Sequence, residues 1–111
     1  MKVVVFGGSG FLGSHVVDAL TDAGHDVNVY DISSSRYLRS SQSMIVGDIL
    51  DSRKVEEAVM DADVVYNFAG VADINDASQR PLDSVKYNIL GNSIILEACR
   101  KAKVKRFVFA S

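Results

Sequence analysis

The stretch Phe6-Gly7-Gly8-Ser9-Gly10-Phe11-Leu12-Gly13 decides how this chain folds. Its glycines are spaced Gly7-x-x-Gly10-x-x-Gly13, with Gly8 in addition. Upstream stand Val3, Val4, Val5 and Phe6, an unbroken apolar run that reads as a strand buried on both faces. Downstream, Leu12, Val16, Ala19, Leu20 and Ala23 recur at helical spacing, and Gly24 supplies a stop. A chain passing directly from strand into helix favours glycine where φ is unusual. Backbone that must approach an anion closely excludes a Cβ, and Gly13 suits the inner side of a helix packed on a sheet. The free N–H groups and the dipole at the helix start then make an anion site.

Beyond this turn, short apolar runs alternate with longer amphipathic ones. Strands are predicted at residues 27–30, closed by Asp31; at 44–46, closed by Gly47-Asp48; at 62–68; and at 106–110. A helix capped by Asp51 or Ser52 runs to about Met60, with Val55, Ala58 and Val59 inward and Glu56 and Glu57 outward. Another begins near Pro81, whose missing N–H costs little in a first turn. It reaches about Ala102 and carries Leu90, Ile94, Ile95, Ala98 and Cys99. Residues 32–43, with six serines, and the polar residues 71–80 read as connections. Apolar strands alternating with helices argue for an α/β domain spanning residues 1–111, its parallel sheet covered on both faces. Right-handed crossovers restrict it to a doubly wound sheet of five strands in the order 3-2-1-4-5. Ligands bind such sheets at the carboxyl ends of the strands, where the order reverses between the first and fourth.

Asp31 closes the second strand at that end. A glycine turn between strand and helix, with an acid closing the next strand, is the context that dinucleotide binding requires. The carboxylate can accept hydrogen bonds from the adenosine ribose hydroxyls and repels a 2′-phosphate, which favours NAD over NADP. Arg36, in the serine-rich connection, opposes that preference if it turns toward a phosphate. Asp48 can accept the adenine amino group, or cap the next helix. Ala69 and Gly70 leave room for a cofactor over the fourth strand. Asn88 can hold a loop backbone across the site with its amide, cap its own helix, or face solvent.

Composition narrows the partners. The chain has 111 residues, 48% hydrophobic and 23% charged, with a net charge of -2. Near-neutral charge gives no electrostatic reason to seek nucleic acid or an anionic membrane. No apolar run approaches the roughly 18 residues of a membrane helix, and the N-terminus does not read as a signal peptide. A single cysteine, Cys99, rules out a disulfide framework and fits a reducing, cytoplasmic setting. It lies on an apolar helix face and reads as a buried, inert thiol. His15 and His25 are scattered, so neither a metal site nor a nucleophilic triad is expected.

The run from Val5 to His15 resembles the opening of the extended short-chain dehydrogenase/reductase family, which includes the NAD-dependent epimerases and dehydratases of nucleotide sugars. Gly47-Asp48-Ile49-Leu50-Asp51 is similar to the family segment whose Asp and Ile flank the adenine. Asn67-Phe68-Ala69-Gly70 occupies the place of the stretch under the cofactor diphosphate and ribose. Pro81 to Asn88, with Gly91 and Leu96-Glu97-Ala98, resembles the helix that brings an Asn to the cofactor. The segment from Lys105 to Ser111 looks like the strand leading to the catalytic serine, with Ser111 adjoining it. The resemblance covers essentially the whole chain. It implies a Rossmann-type fold, NAD as cofactor, and a nucleotide sugar as substrate of the parent protein. With the residues read above, the expected cofactor site comprises Gly7, Gly10, Phe11, Leu12, Gly13, Asp31, Arg36, Asp48, Ile49, Phe68, Ala69, Gly70 and Asn88. Phe6 stands where many members have Thr, and Gly70 where many sugar enzymes have Ala.

Family chemistry uses a Tyr-x-x-x-Lys pair, in which the lysine lowers the tyrosine pKa. None of the four tyrosines, Tyr30, Tyr37, Tyr66 and Tyr87, has lysine four residues on. The chain therefore reads as a cofactor-binding part whose catalytic residues and substrate lobe lie elsewhere. Its fifth strand is expected to form an open edge that invites self-association. Two other readings stay open: an NADP-dependent reductase of the same superfamily acting on a non-sugar carbonyl, and a non-catalytic dinucleotide-binding sensor.

Overall fold

A computed structural model describes residues 1–70 and 81–109. Five parallel strands form one sheet in the order β3-β2-β1-β4-β5. They are β1 (Lys2–Phe6), β2 (Asp26–Asp31), β3 (Ser43–Val46), β4 (Val64–Asn67) and β5 (Arg106–Phe109). The helices are α1 (Phe11–Asp22), α2 (Ser52–Val59), α3 (Pro81–Val85) and α4 (Asn92–Ala102), with a π-helical stretch, Lys86–Gly91, joining the last two. The predicted strand order is the one observed. Ala110, the expected end of the fifth strand, Ser111 and the predicted loop at 71–80 lie outside the described residues.

The period-2 alternation of β1 divides the core. Val4 and Phe6 join Val65, Val55, Val59, Ile95 and Ala98 under α2 and α4. Val3 and Val5 join Val27, Val29 and Val17 under α1. Each valine of β1 is at most 1% exposed, so both faces of the central strand are covered, as its unbroken apolar run requires.

Two helices differ from expectation. In α1 the buried residues are Gly13, Ser14 and Val17, while Leu12, Ala19 and Ala23 are exposed and Val16 is half-buried. Small residues let the helix backbone settle close to the sheet, so an apolar-periodicity argument put the inner face in the wrong place. A Cβ on Gly13 would collide with the Gly7 carbonyl oxygen and lie 2.8 Å from Gly8 Cα. The predicted continuous helix from Pro81 to Ala102 contains the π stretch, which widens the turn. Inward positions there run Tyr87, Gly91, Ile95 and Cys99, and Leu90 faces solvent. Gly91 sits against Ile49, whose Cδ1 would collide with any Cβ at that position.

Asp51 is the cap of α2, its side chain accepting from Lys54 N at 3.2 Å. Gly24, at φ +93°, follows the end of α1 as expected. The serine-rich connection is tied to α1. Buried Gln42 donates to Asp18 Oδ1 and Thr21 Oγ1, both at 3.0 Å, and accepts from Arg39 N.

Candidate functional site

A cleft of about 390 Å³ opens at the carboxyl ends of the strands, within the usual size range of small-molecule sites. Its lining comes from four separate stretches: Gly7 and Gly10; Tyr30, Asp31 and Ile32; Gly47, Asp48 and Ile49; Phe68, Ala69 and Gly70. Tyr87 completes it. The glycine turn forms the floor. Gly7 takes φ +77°, and its N–H donates to Tyr30 O at 2.8 Å. A Cβ there would lie 2.6 Å from Ala69 N and from Phe68 C, so the β4 loop crosses directly against this glycine.

Gly10 is different. It caps α1 at φ -76° and ψ 175°, an ordinary extended conformation, and no side chain caps this helix end. A Cβ on it would meet only Gly7 O, at 3.5 Å. The protein's own packing gives no reason for glycine at this exposed position. The space above it and the uncapped first turn of α1 suit an anion. Phe11 and Leu12 flank the same end, 81% and 55% exposed, and the His15 ring meets Phe11 edge-on at 4.8 Å.

Asp31 braces the turn as well as facing the cleft. Its Oδ2 accepts from Ser9 N at 3.0 Å and its Oδ1 from Ser33 N at 3.4 Å, while Ser9 Oγ donates to Ser33 O. Asp48 is not a helix cap: its Oδ1 accepts from Leu50 N at 2.9 Å, and Tyr87 Oη lies 3.4 Å from its Oδ2. Across the cleft, buried Asn67 accepts from Ala69 N and donates to Asn92 Oδ1, both at 2.9 Å. That pair fixes the bend that carries Phe68, Ala69 and Gly70 into the lining. Asn88 lies against Gly70, where a Cβ would collide with its Oδ1.

Of the residues named from sequence, Gly7, Gly10, Asp31, Asp48, Ile49, Phe68, Ala69 and Gly70 line one cleft. Phe11 and Leu12 do not line it and are exposed beside Gly10 in sequence, Gly13 is buried against Gly7 and Gly8, and Asn88 lies against Gly70. Arg36 does not line it. Sequence reasoning missed Tyr30, Ile32 and Tyr87 in the lining and Asn92 behind it, and named Gly47 and Asn67 only as parts of matched segments, with no role of their own. Neither Tyr30 nor Tyr87 has a lysine four places on, yet each is a long polar aromatic whose neighbours in sequence end at the cleft.

Among the described residues, the other titratable groups offer no second centre. Burial pushes the Cys99 thiol up to about 11, as an inert core cysteine requires. Among the described residues there is no cluster of three or more His, Cys, Asp or Glu able to hold a metal, and no helix long and apolar enough to cross a membrane.

Known proteins share this architecture. The UDP-glucose 4-epimerase of Azospirillum brasilense is 34% identical over 99% of this chain, which spans 33% of that protein. A UDP-glucose 4-epimerase from Klebsiella pneumoniae is 32% identical over the whole chain and 88% of its own length. The solved UDP-glucose 4-epimerase of Thermus thermophilus, a complex with NAD, superposes on the whole chain with a TM-score of 0.93 at 34% identity. The chain covers 37% of that structure, and about a third of the length of the first of these relatives. The family model described as NAD dependent epimerase/dehydratase matches residues 3–111. With residues 3–111 matched, the chain belongs to the NAD dependent epimerase/dehydratase family.

Proposed function

We propose that this chain is the NAD-binding part of a nucleotide-sugar epimerase or dehydratase whose reaction starts with hydride transfer from a sugar carbon. The observation that carries the reading is Gly10: an exposed glycine in an ordinary backbone conformation, with open space where its Cβ would be, at the uncapped start of α1. Such a position is explained by a ligand that must come close. The first turn of α1 would hold the diphosphate, Asp31 the adenosine ribose, and Asp48 with Ile49 the adenine. Phe68, Ala69 and Gly70 would lie under the second ribose. NAD, when bound, supplies the hydride acceptor. The residues of this chain bind it, orient it and close one side of the cleft.

Turnover needs groups absent from this sequence, since no tyrosine here is followed four places on by lysine. The chain alone therefore binds cofactor without turning substrate over. A UDP-sugar substrate for the parent is supported by relatives such as the Thermotoga maritima UDP-glucose 4-epimerase, solved with UDP-glucose. Self-association belongs to the same proposal: β5 lies at a sheet edge, and Leu82, Val85, Ile89, Leu90 and Phe109 are exposed. A monodisperse monomer in a sizing experiment would count against it.

Calorimetric titration with NAD, NADP and their reduced forms tests the cofactor reading. Saturable binding with NAD tighter than NADP is the expected result. Tighter NADPH than NADH would overturn the role given to Asp31, and binding of neither pair would overturn the proposal.

A further inference from the structure

The end of β3 is held more firmly than a loop beside a cleft needs to be. Lys54 Nζ donates to Val46 O at 2.6 Å, and Gly47 N donates to Asp31 O at 2.9 Å. Tyr30, fully buried against Phe6 with ring centroids 4.8 Å apart, reaches across from β2 and donates its hydroxyl to Asp48 O at 2.7 Å. The fit is close enough that a Cβ on Gly47 would lie 2.6 Å from Tyr30 Oη. From the other wall, Tyr87 Oη approaches Asp48 Oδ2 at 3.4 Å, while Leu50 N occupies Oδ1. Tyr30, Tyr87 and Leu50 thus all donate toward Asp48.

We propose that Tyr30 and Tyr87 are positioning residues that set the base specificity of this cleft by holding Asp48 as a fixed acceptor, so that it selects a purine with an amino group at C6 over one with a carbonyl. This rests on the reading of the cleft as a dinucleotide site. A carboxylate can only accept, and each of its oxygens has more than one acceptor direction. The contact with Leu50 N therefore leaves room for an incoming N–H donor, and a 6-oxo base would set two acceptors against each other. Such selectivity depends on orientation: a carboxylate free to rotate can turn away from a wrong base, whereas one held from two sides cannot. Tyr30 fixes the backbone of Asp48, and Tyr87 limits the rotation of its side chain. Burial, helped by the nearby charges of Asp51 and Asp48, pushes the Tyr30 hydroxyl up to about 12, so it stays a donor throughout the working range.

The test compares NAD with nicotinamide hypoxanthine dinucleotide, which carries a carbonyl in place of the amino group. Kd for both is measured on the wild type, Tyr30→Phe and Tyr87→Phe, with a thermal melt of each. Asp48 O also accepts from Asp51 N at 3.1 Å, so Tyr30→Phe leaves that carbonyl partnered. Tyr87→Phe alters a half-buried side chain at the cleft wall and serves as the second variant should the first unfold. The wild type is expected to prefer NAD by about tenfold or more, and each variant to narrow that ratio by about three- to tenfold, the worth of one hydrogen bond. Folded variants that keep the wild-type ratio overturn the proposal, as do variants that weaken both dinucleotides equally, which is what a merely structural tyrosine would do. A wild type that binds NAD without preferring it also overturns it. A wild type that binds neither dinucleotide refutes the cofactor reading itself.

Discussion

Replacing Gly10 by alanine separates what the fold needs from what a ligand needs. The backbone there, φ -76° and ψ 175°, is open to alanine, and the nearest atom to the new Cβ is Gly7 O at 3.5 Å, an ordinary contact. Two small terms act on stability. A less flexible unfolded chain gives back about 0.4–1 kcal/mol, while alanine is a poorer N-cap than glycine by about 0.5–1 kcal/mol. They nearly cancel, so the melting temperature is expected to move by only a few degrees. Binding should respond differently. A methyl above the first turn of α1 pushes a diphosphate away from the N–H groups. Losing one charge-assisted hydrogen bond costs about 1.5–3 kcal/mol, or roughly 10- to 100-fold in Kd. Gly13→Ala is the contrast: its Cβ meets the Gly7 carbonyl and Gly8 Cα, both backbone, and about 1–3 kcal/mol or more of stability should be lost through overpacking. Paired melts and NADH fluorescence titrations read both quantities. If Gly10→Ala binds NADH as tightly as the wild type, the start of α1 is not where the phosphates sit, and the reasoning fails.

Three further outcomes are expected. Tyr30 is held near 12 against an ordinary 10.0, chiefly by burial, and Cys99 near 11 against 9.0, by burial. Both are protonated and uncharged when folded, so their stabilisation is full below about pH 9 and is lost as pH rises toward 12; for Tyr30 it amounts to roughly 2–3 kcal/mol. Denaturant midpoints that stay flat from pH 9 to 12 in the wild type would contradict this, and Tyr30→Phe should shrink the fall. Asp31→Asn removes the charge facing a 2′-phosphate while leaving an oxygen for Ser9 N, so the NAD-to-NADP affinity ratio should fall by about tenfold with little change in the melt; an unchanged ratio would refute the carboxylate's role. Asn67→Ala strands Ala69 N and Asn92 Oδ1 around a 5%-exposed position, and about 2–4 kcal/mol should be lost in urea unfolding; a loss below about 1 kcal/mol would mean the bend is held by other contacts.

The sheet was legible because parallel strands buried on two faces must be apolar throughout, and Val3, Val4 and Val5 meet that demand without interruption. The glycine turn was legible because its positions are dictated by backbone geometry, which sequence carries directly in the absence of a side chain. Gly13 was legible on the inner side of α1 for the same reason, but Ser14 and Val17 beside it were not, since the apolar repeat points to Leu12, Val16 and Ala19 instead. The π stretch was hidden for a related reason. It changes which residues face inward without changing their character, so the apolar pattern points to Leu90 as core although it is exposed. Asn67 with Asn92, and Tyr30 with Asp48, join residues far apart in sequence whose pairing only the fold creates.

β1 is made before the other four strands, yet it occupies the middle of the sheet. Its neighbours are β2 on one side and β4 on the other. The bonds that give the glycine turn its shape, Gly7 N to Tyr30 O and Phe68 N to Phe6 O, therefore wait on residues made much later. During synthesis the turn has no settled form until Phe68 has been added and has cleared the exit tunnel. Until then the growing chain carries its most glycine-rich, least self-supporting segment unpaired. Parallel pairing between distant segments is slow to form, so the cleft at the strand ends is complete only after most of the described sheet has been translated.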